Sequence, residues 1–208
     1  MKKVLIFNCA FAFFLFLFAF LSFAQENLLL DDFEAAVSGG WEGTVDFGAG
    51  NGSSVEVAAS SEIKNTGNQS IKVTYDAQPD GYIYVAKGFN LDAVNAAWLV
   101  KPEDIGWIRY GAISFYIYGS NSKVKVAVDL KDNGGEMWRF LVEDDFSGWK
   151  QIICPFNNFF ARDDWQPNDA ERNAELDFPI RSFQFEPRPD AQAKSGILYF
   201  DTVELTQP

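Results

Sequence analysis

The sequence predicts an all-β protein, a β-sandwich jelly roll of two antiparallel sheets. Two observations predict this class. Apolar residues recur at every second position in short segments such as Ile113–Tyr118 and Lys123–Leu130, as in strands with one buried face. Turn-forming runs of Gly, Asn, Asp and Ser, such as residues 119–121 and 132–135, separate these segments at the spacing typical of sandwiches and jelly rolls.

The same alternation predicts the individual strands. They are Leu28–Phe33, Val55–Val57, Ser70–Ala77, Tyr82–Phe89, Ile113–Tyr118, Lys123–Leu130, Met137–Glu143, Trp149–Pro155, Ser182–Glu186 and Gly196–Leu205. One segment has helical signals instead. Residues 168–176 follow Pro167 and begin with Asn168 and Asp169, which are good helix-capping residues. The sequence therefore predicts one short helical excursion at 168–176, between two strands.

Residues 1–24 have the three-part pattern of a secretory signal peptide. Lys2 and Lys3 give a positive start, an uncharged apolar run follows, and small residues Ser22 and Ala24 precede a cut before Gln25. A retained membrane anchor is the alternative, because roughly 20 apolar residues span a bilayer. The cleavage pattern favours removal. It predicts an exported protein, periplasmic or extracellular, with a single domain at 25–208 that makes no membrane contact after cleavage.

The composition excludes several classes of function. A formal net charge of −12 disfavours nucleic acid, which is bound by neutralising phosphates with Lys and Arg. The chain has no histidine, which excludes Ser-His-Asp and Cys-His catalysis and His-ligated metal sites. Once the signal is removed, Cys154 is the remaining cysteine, so no intrachain disulfide forms and a buried thiol is expected.

Five segments, taken in order, resemble the jelly-roll carbohydrate-binding modules, most closely family 11 in the galactose-binding-like superfamily. The resemblance covers nearly all of residues 28–206. It implies a domain that binds polysaccharide or oligosaccharide, β-glucan-like in preference, on the concave face of one sheet and without catalysis. The segments that carry it are Leu30–Glu34, Gly67–Tyr75, Ile113–Gly119, Trp149–Phe156 and Leu198–Leu205.

The resemblance also implies a structural calcium ion where the first and last strands meet. Its ligands at matching positions would be Asp32, Glu34 and Asp201, and backbone carbonyls would complete the six to eight oxygens that calcium takes. The alternative is that the acidic residues near position 32 start a strand and cap a turn.

Polar and aromatic residues on the outward face of the strands are the candidates for sugar binding. The alternative is an ordinary solvated face with Lys–Asp cross-strand pairs. Trp107 and Trp165 lie in predicted loops, where a tryptophan either marks a binding site or plugs the end of the sandwich. The predicted ligand-binding residues are Tyr82, Tyr84, Tyr116, Tyr118, Asp129, Lys131, Arg139, Gln184 and Glu186.

Two other functions stay open from the sequence. A small jelly-roll glycosidase would need a pair of carboxyl groups, for which Glu136, Glu143 and Glu186 are the candidates, although no glutamate motif of such enzymes surrounds them. An exported scaffold of the cell envelope or an appendage is the second. The expected partner is therefore a glycan, with an envelope protein or a separate glycosidase as the alternatives.

Overall fold

The computed structural model of the chain describes residues 26–189 and 192–207. The predicted signal peptide at 1–24 lies outside these residues. Three short 3-10 helices occur in the described part, at Pro102–Asp104, Trp107–Arg109 and Phe156–Asn158. The strands are β1 Leu28–Asp31, β2 Asp46–Gly50, β3 Ser54–Ser60, β4 Ser70–Ala77, β5 Tyr82–Gly88, β6 Ala112–Ser120, β7 Lys125–Lys131, β8 Met137–Glu143, β9 Ser147–Pro155, β10 Phe160–Ala161, β11 Ser182–Arg188 and β12 Lys194–Thr206.

The strands form two antiparallel sheets. Sheet A has the order β3-β4-β12-β6-β9, and β1 pairs with β12 beside this path. Sheet B has the order β10-β8-β7-β11-β5-β2. Neighbours in each sheet are often distant in sequence, as a jelly roll requires, so the chain passes repeatedly from one sheet to the other. The predicted fold class is confirmed.

Aromatic and branched side chains from both sheets meet in one core. Phe185 of sheet B stacks on Phe200 of sheet A, with 4.1 Å between ring centroids and 7° between ring planes. Phe115, also in sheet A, lies 4.8 Å from Phe185. All three side chains are buried. Because inward and outward side chains alternate along a strand, burying these rings turns the polar residues between them away from the core.

The prediction of a short helix at 168–176 is wrong. These residues form turns and irregular structure. Arg172 and Ala174 have left-handed backbone, with φ of 54° and 59°, which interrupts a right-handed helix. Buried acceptors hold the segment instead, since the Ala174 N–H donates to Glu136 at 3.2 Å. Tertiary contacts therefore override the local helical signals.

Cys154 lies in β9 and is a free, buried thiol, as expected. Burial raises the pKa of this thiol well above its usual range. In the described part of the chain, no helix is long and apolar enough to cross a membrane.

Candidate functional site

A groove of about 770 Å³ lies on the face of sheet B that is turned away from the core. Strands β5, β7, β8 and β11 supply its floor, and the segment after β10 supplies one wall. Five of the nine predicted ligand-binding residues line it directly: Tyr82, Tyr84, Lys131, Gln184 and Glu186.

The register of sheet B explains why these side chains converge. Asp129 lies opposite Arg139 on one side and opposite Gln184 on the other, so the three form a row across β8, β7 and β11. Directly opposed residues share a face of the sheet. Asp129 and Arg139 are buried beneath the groove, while Gln184 is half-buried and reaches it.

Asp129 is held by four donated hydrogen bonds. Arg139 donates from Nε to Oδ1 and from Nη2 to Oδ2, both at 2.7 Å. Arg162 Nη1 and Gln184 Nε2 donate to Oδ2 at 2.9 and 3.0 Å. Such a bidentate, charge-assisted arrangement offsets the cost of burying the carboxylate.

Three carboxylates and three arginines form one ion network under and beside the groove. Glu186 accepts from Nη2 of Arg139, and Asp164 accepts from Arg139, Arg162 and Arg188 at 2.9–3.2 Å. Their formal charges cancel. The groove floor is therefore strongly polar but close to neutral, although the chain as a whole is acidic.

The pKa values of two acids of the network, Glu186 and Asp164, are shifted in opposite directions. Burial raises the pKa of Glu186, and the nearby Arg139 charge only partly offsets this. Burial alone would also raise the pKa of Asp164. Hydrogen bonds and Coulombic attraction from Arg162, followed by Arg139, outweigh this and hold the pKa well below its usual range. Of Glu186 and Asp164, Asp164 is therefore the acid that stays ionised to the lower pH.

Tyr82 and Tyr84 form the opposite side of the groove, on β5. They pair with Gly50 and Gly48 of the edge strand β2, respectively. Tyr82 is 51% exposed, so a large apolar ring is presented to solvent at this side. An exposed ring beside polar groups is the arrangement on which the C–H face of a sugar stacks.

The two loop tryptophans have different places. Trp165 lines the groove with 55% of its surface exposed, and the guanidinium of Arg162 lies 5.5 Å from its ring. Trp107 plugs an end of the sandwich. It packs on Phe156 and Phe178 and donates from Nε1 to the Pro102 carbonyl at 2.9 Å.

The placement of Tyr116 and Tyr118 with the other candidates is wrong. Both residues lie in β6, which belongs to sheet A. Tyr118 packs edge-on against Trp149 and Tyr199 within that sheet, with centroids 5.6 and 5.8 Å away. The alternating pattern identified an outward face, but it did not say on which sheet that face lies.

Arg162, Asp164 and Arg188 belong to the groove and were not predicted. Arg162 and Asp164 follow the two-residue strand β10, which is too short for its alternation to be visible in the sequence. Arg188 extends the predicted strand Ser182–Glu186 by one more outward position, which could have been read from the period of two.

Two of the three residues predicted to hold calcium, Glu34 and Asp201, accept hydrogen bonds from the loop 65–69, and the third, Asp32, accepts one from Glu34. Asp201 accepts the N–H groups of Asn65 and Thr66 at 2.8 and 3.1 Å. Glu34 accepts two further backbone N–H groups of the loop, and these bonds lower its pKa. Asp32 accepts the N–H of Glu34 at 3.1 Å.

This arrangement does not fit a calcium ion, because N–H donors point at the carboxylates that would have to face the cation. Among residues 26–189 and 192–207, no group of three or more His, Cys, Asp or Glu side chains is placed to hold a metal. The calcium site stays a prediction of the family resemblance.

Two of the three glutamates considered for catalysis lie at opposite ends of β8. Glu136 precedes the strand and Glu143 ends it, seven residues apart. At about 3.3 Å per residue they are separated by roughly 20 Å, far more than the ~5.5 Å between the carboxyls of a retaining glycosidase. Glu186 lies in the groove but is paired with Arg139 and Arg188.

Comparison with known proteins agrees with the geometry. A family model described as a carbohydrate binding domain (family 11) matches residues 22–207. The chain is 29% identical over 192 residues to Endoglucanase H of Acetivibrio thermocellus, covering 88% of this chain and 18% of that protein. It is 27% identical over 150 residues to a mannan endo-1,4-beta-mannosidase of Bifidobacterium adolescentis, covering 69% and 13%. The chain thus spans less than a fifth of these relatives.

Solved structures give the same result. The family 11 carbohydrate-binding module of a cellulosomal cellulase of Clostridium thermocellum has a TM-score of 0.65 and 25% identity, covering 89% of this chain and 96% of that one. A family 11 module from the same organism, in complex with a beta-1,3-1,4-mixed-linked tetrasaccharide, has a TM-score of 0.63 and 25% identity, covering 87% and 95%. The resemblance inferred from the sequence is confirmed.

Proposed function

The chain belongs to the family 11 carbohydrate-binding modules, and we propose that its groove on sheet B binds β-glucan chains without cleaving them. The observation that carries this proposal is the groove itself, of about 770 Å³, which is lined by the exposed ring of Tyr82, the half-buried ring of Tyr84 and the polar ion network. Rings supply apolar contact to sugar C–H faces, and the polar groups supply hydrogen bonds that orient the ligand.

The charge balance of the groove favours a neutral glycan. Each carboxylate of the network faces at least one arginine. The rest of the lining carries Lys131 together with Asp46, Asp80 and Asp92, so acids outnumber cations and uronic acids or sulfate esters are disfavoured. The mixed-linkage tetrasaccharide bound by a structural neighbour makes β-glucan the first ligand to test. In this proposal one set of residues stabilises the floor of the groove: Asp129, Arg139 and Glu186. A second set contacts the sugar: Tyr82, Tyr84, Lys131 and Gln184.

The absence of catalysis is part of the proposal. Asp129 and Glu186 both bind the guanidinium of Arg139, so they act as its counter-ions rather than as an acid and a nucleophile. Since the curated relatives are several times longer glycosidases, we propose that a catalytic domain or a separate enzyme acts on the same polysaccharide, outside the cytoplasm.

Affinity electrophoresis of the chain without its predicted signal tests the proposal. We expect mixed-linkage β-glucan to retard the protein, with xylan and mannan as comparison gels. Tyr84→Ala should reduce the retardation, whereas Tyr118→Ala is a matched control, because it removes a half-buried tyrosine from sheet A. Unretarded migration on every polysaccharide would contradict the proposal, and release of reducing sugar would contradict its non-catalytic part.

A further inference from the structure

The edge strand β2 carries two glycines where the groove meets the side of sheet B. Asp46, Gly48 and Gly50 share the groove face by alternation, while Phe47 and Ala49 pack against the core. Glycine weakens a strand, and the backbone here does not require it, since neither Gly48 nor Gly50 has a positive φ. The reason for glycine must therefore be space.

Two tyrosine rings fill that space. A Cβ added to Gly50 would lie 2.5 Å from Cε1 and 2.6 Å from Cζ of Tyr82. A Cβ added to Gly48 would lie 2.9 Å from Oη and 3.0 Å from Cε1 of Tyr84. These distances are shorter than van der Waals contact. The outer end of each ring, at Cε1, Cζ and Oη, therefore occupies the space beside the α-carbon of the glycine with which its own residue pairs.

Resting on the proposed function, we infer that Gly48 and Gly50 are positioning residues, which lay the rings of Tyr84 and Tyr82 flat over β2 as a stacking ledge for the glycan. One face of each ring covers the glycine backbone, which leaves the other face for the groove. A methyl group at either glycine would lift the ring and turn its edge toward the ligand.

The ledge suits a particular class of ligand. A flat aromatic face is matched by a sugar ring whose C–H bonds project from a broad face, as in β-linked glucopyranose. Because Gly48 and Gly50 have no side chains, no group at these positions blocks a ligand from reaching the rings. The two glycines thus act through the tyrosines on affinity, and they are not expected to contact the sugar themselves.

Double-mutant cycles on the chain without its predicted signal test this inference. Titration calorimetry with mixed-linkage β-glucan should show that Gly50→Ala weakens binding about tenfold, which corresponds to about 1.4 kcal/mol. In a Tyr82→Ala background the same substitution should have no further effect. The pair Gly48→Ala and Tyr84→Ala should behave in the same way, and the near-UV circular dichroism of each glycine variant should report a changed tyrosine environment.

A matched control exists in sheet A. Gly196 pairs with Tyr75, and a Cβ there would lie 2.8 Å from Oη of that ring, so Gly196→Ala repeats the same crowding far from the groove. It should lower the melting temperature without changing affinity. This control separates a loss of stability from a loss of ring position.

Two results would overturn the inference: unchanged affinity in both glycine variants, or an equal loss with and without the tyrosine. If the wild-type chain binds no glycan at all, the proposed function fails, and with it the role of the ledge in binding. Near-UV circular dichroism of the same single and double variants would still show whether the glycines fix the position of the tyrosine rings, because this measurement needs no ligand.

Discussion

At the scale of single residues, Asp129 is buried although it lies on the side of sheet B that faces away from the core. An isolated buried carboxylate would be very costly, and this one is stabilised by two arginines and Gln184. All of these hydrogen bonds come from the protein's own side chains. The floor of the groove is therefore held in one arrangement, which would lower the cost of ordering it if a glycan binds as proposed.

Asp164 gives this network a characteristic pH dependence. Its pKa is lowered in the folded chain by Arg162 and Arg139, so its contribution to stability is complete above the unfolded pKa of about 3.9 and is lost as pH falls toward the folded pKa. We expect Asp164→Asn to reduce the free energy of unfolding by about 1 kcal/mol at pH 7, a small value because the side chain is partly exposed.

Urea unfolding between pH 7 and pH 2 measures this effect. The difference between wild type and Asp164→Asn should be constant down to about pH 4 and should shrink below it. Asp163→Asn is the control, since this neighbour is exposed and should show little difference at any pH. A difference that grows as the pH falls would contradict the assigned direction of the pKa shift.

At the scale of elements, Asp144 ties together two of the connections between the sheets. It lies between β8 of sheet B and β9 of sheet A, and it accepts hydrogen bonds from the loop that joins β6 to β7. The donors are the N–H groups of Ser120, Asn121 and Ser122 and the Ser122 hydroxyl, at 2.6–3.2 Å. Asn121 and Lys123 have left-handed backbone, which makes this loop dependent on such support.

Replacing Asp144 should therefore destabilise both connections between the sheets, the one from β6 to β7 and the one from β8 to β9. We expect Asp144→Ala to lower the free energy of unfolding by about 2–4 kcal/mol, because it removes the buried acceptor of four partly buried hydrogen bonds, each contributing roughly 0.5–1 kcal/mol. Asp145→Ala is the matched control, since its side chain is about half exposed and makes only a 3.5 Å ion pair with Lys150. Equal urea midpoints for the two variants would contradict this role for Asp144.

The strands that could be predicted from the sequence are those whose alternation is long enough to see. Ser70–Ala77 and Met137–Glu143 have the predicted bounds, and the other predicted strands differ mainly at their ends. β2 was missed because Gly48 and Gly50 interrupt its pattern with residues that disfavour strands. Their purpose is visible only once β5 lies beside them, since the rings that need the space come from another part of the chain.

The candidate site, like the strands, could be predicted in part from the alternation of the sequence. Alternation along β5, β7, β8 and β11 identified seven residues that do share the outward face of sheet B, from Tyr82 to Glu186. The same rule applied to β6 placed Tyr116 and Tyr118 with them, because a period of two separates the faces of one strand but carries no information on the sheet that the strand joins. Their roles in binding stay predictions.

At the scale of the whole molecule, β12 joins most of sheet A. It pairs with β6 along one side and with β4 and then β1 along the other, so the first and last strands of the described chain lie together. The change of partner occurs near Asp201, after the Phe200–Ile71 pair and before the Val203–Asp31 pair. Buried Asp201 accepts the N–H groups of Asn65 and Thr66 at this point.

Removing this carboxylate should destabilise the whole domain rather than one loop. We expect Asp201→Ala to cost about 3 kcal/mol, or about 6–12 °C in melting temperature for a domain of this size, when calorimetry is done in chelator. Asp76→Ala, an exposed acid on β4, is the control. The hydrogen bonds alone predict this loss, so an unchanged melting temperature in chelator would contradict their importance.

Repeating the melts in calcium tests the metal predicted by the family resemblance. If calcium binds at Asp32, Glu34 and Asp201, the N–H groups of the loop 65–69 must turn away from Glu34 and Asp201. The binding energy of the metal must then exceed that of the hydrogen bonds lost. Calcium would then raise the melting temperature of the wild type but not of Asp201→Ala. Equal melting in calcium and chelator would contradict the calcium site and leave hydrogen bonding as the role of Asp201.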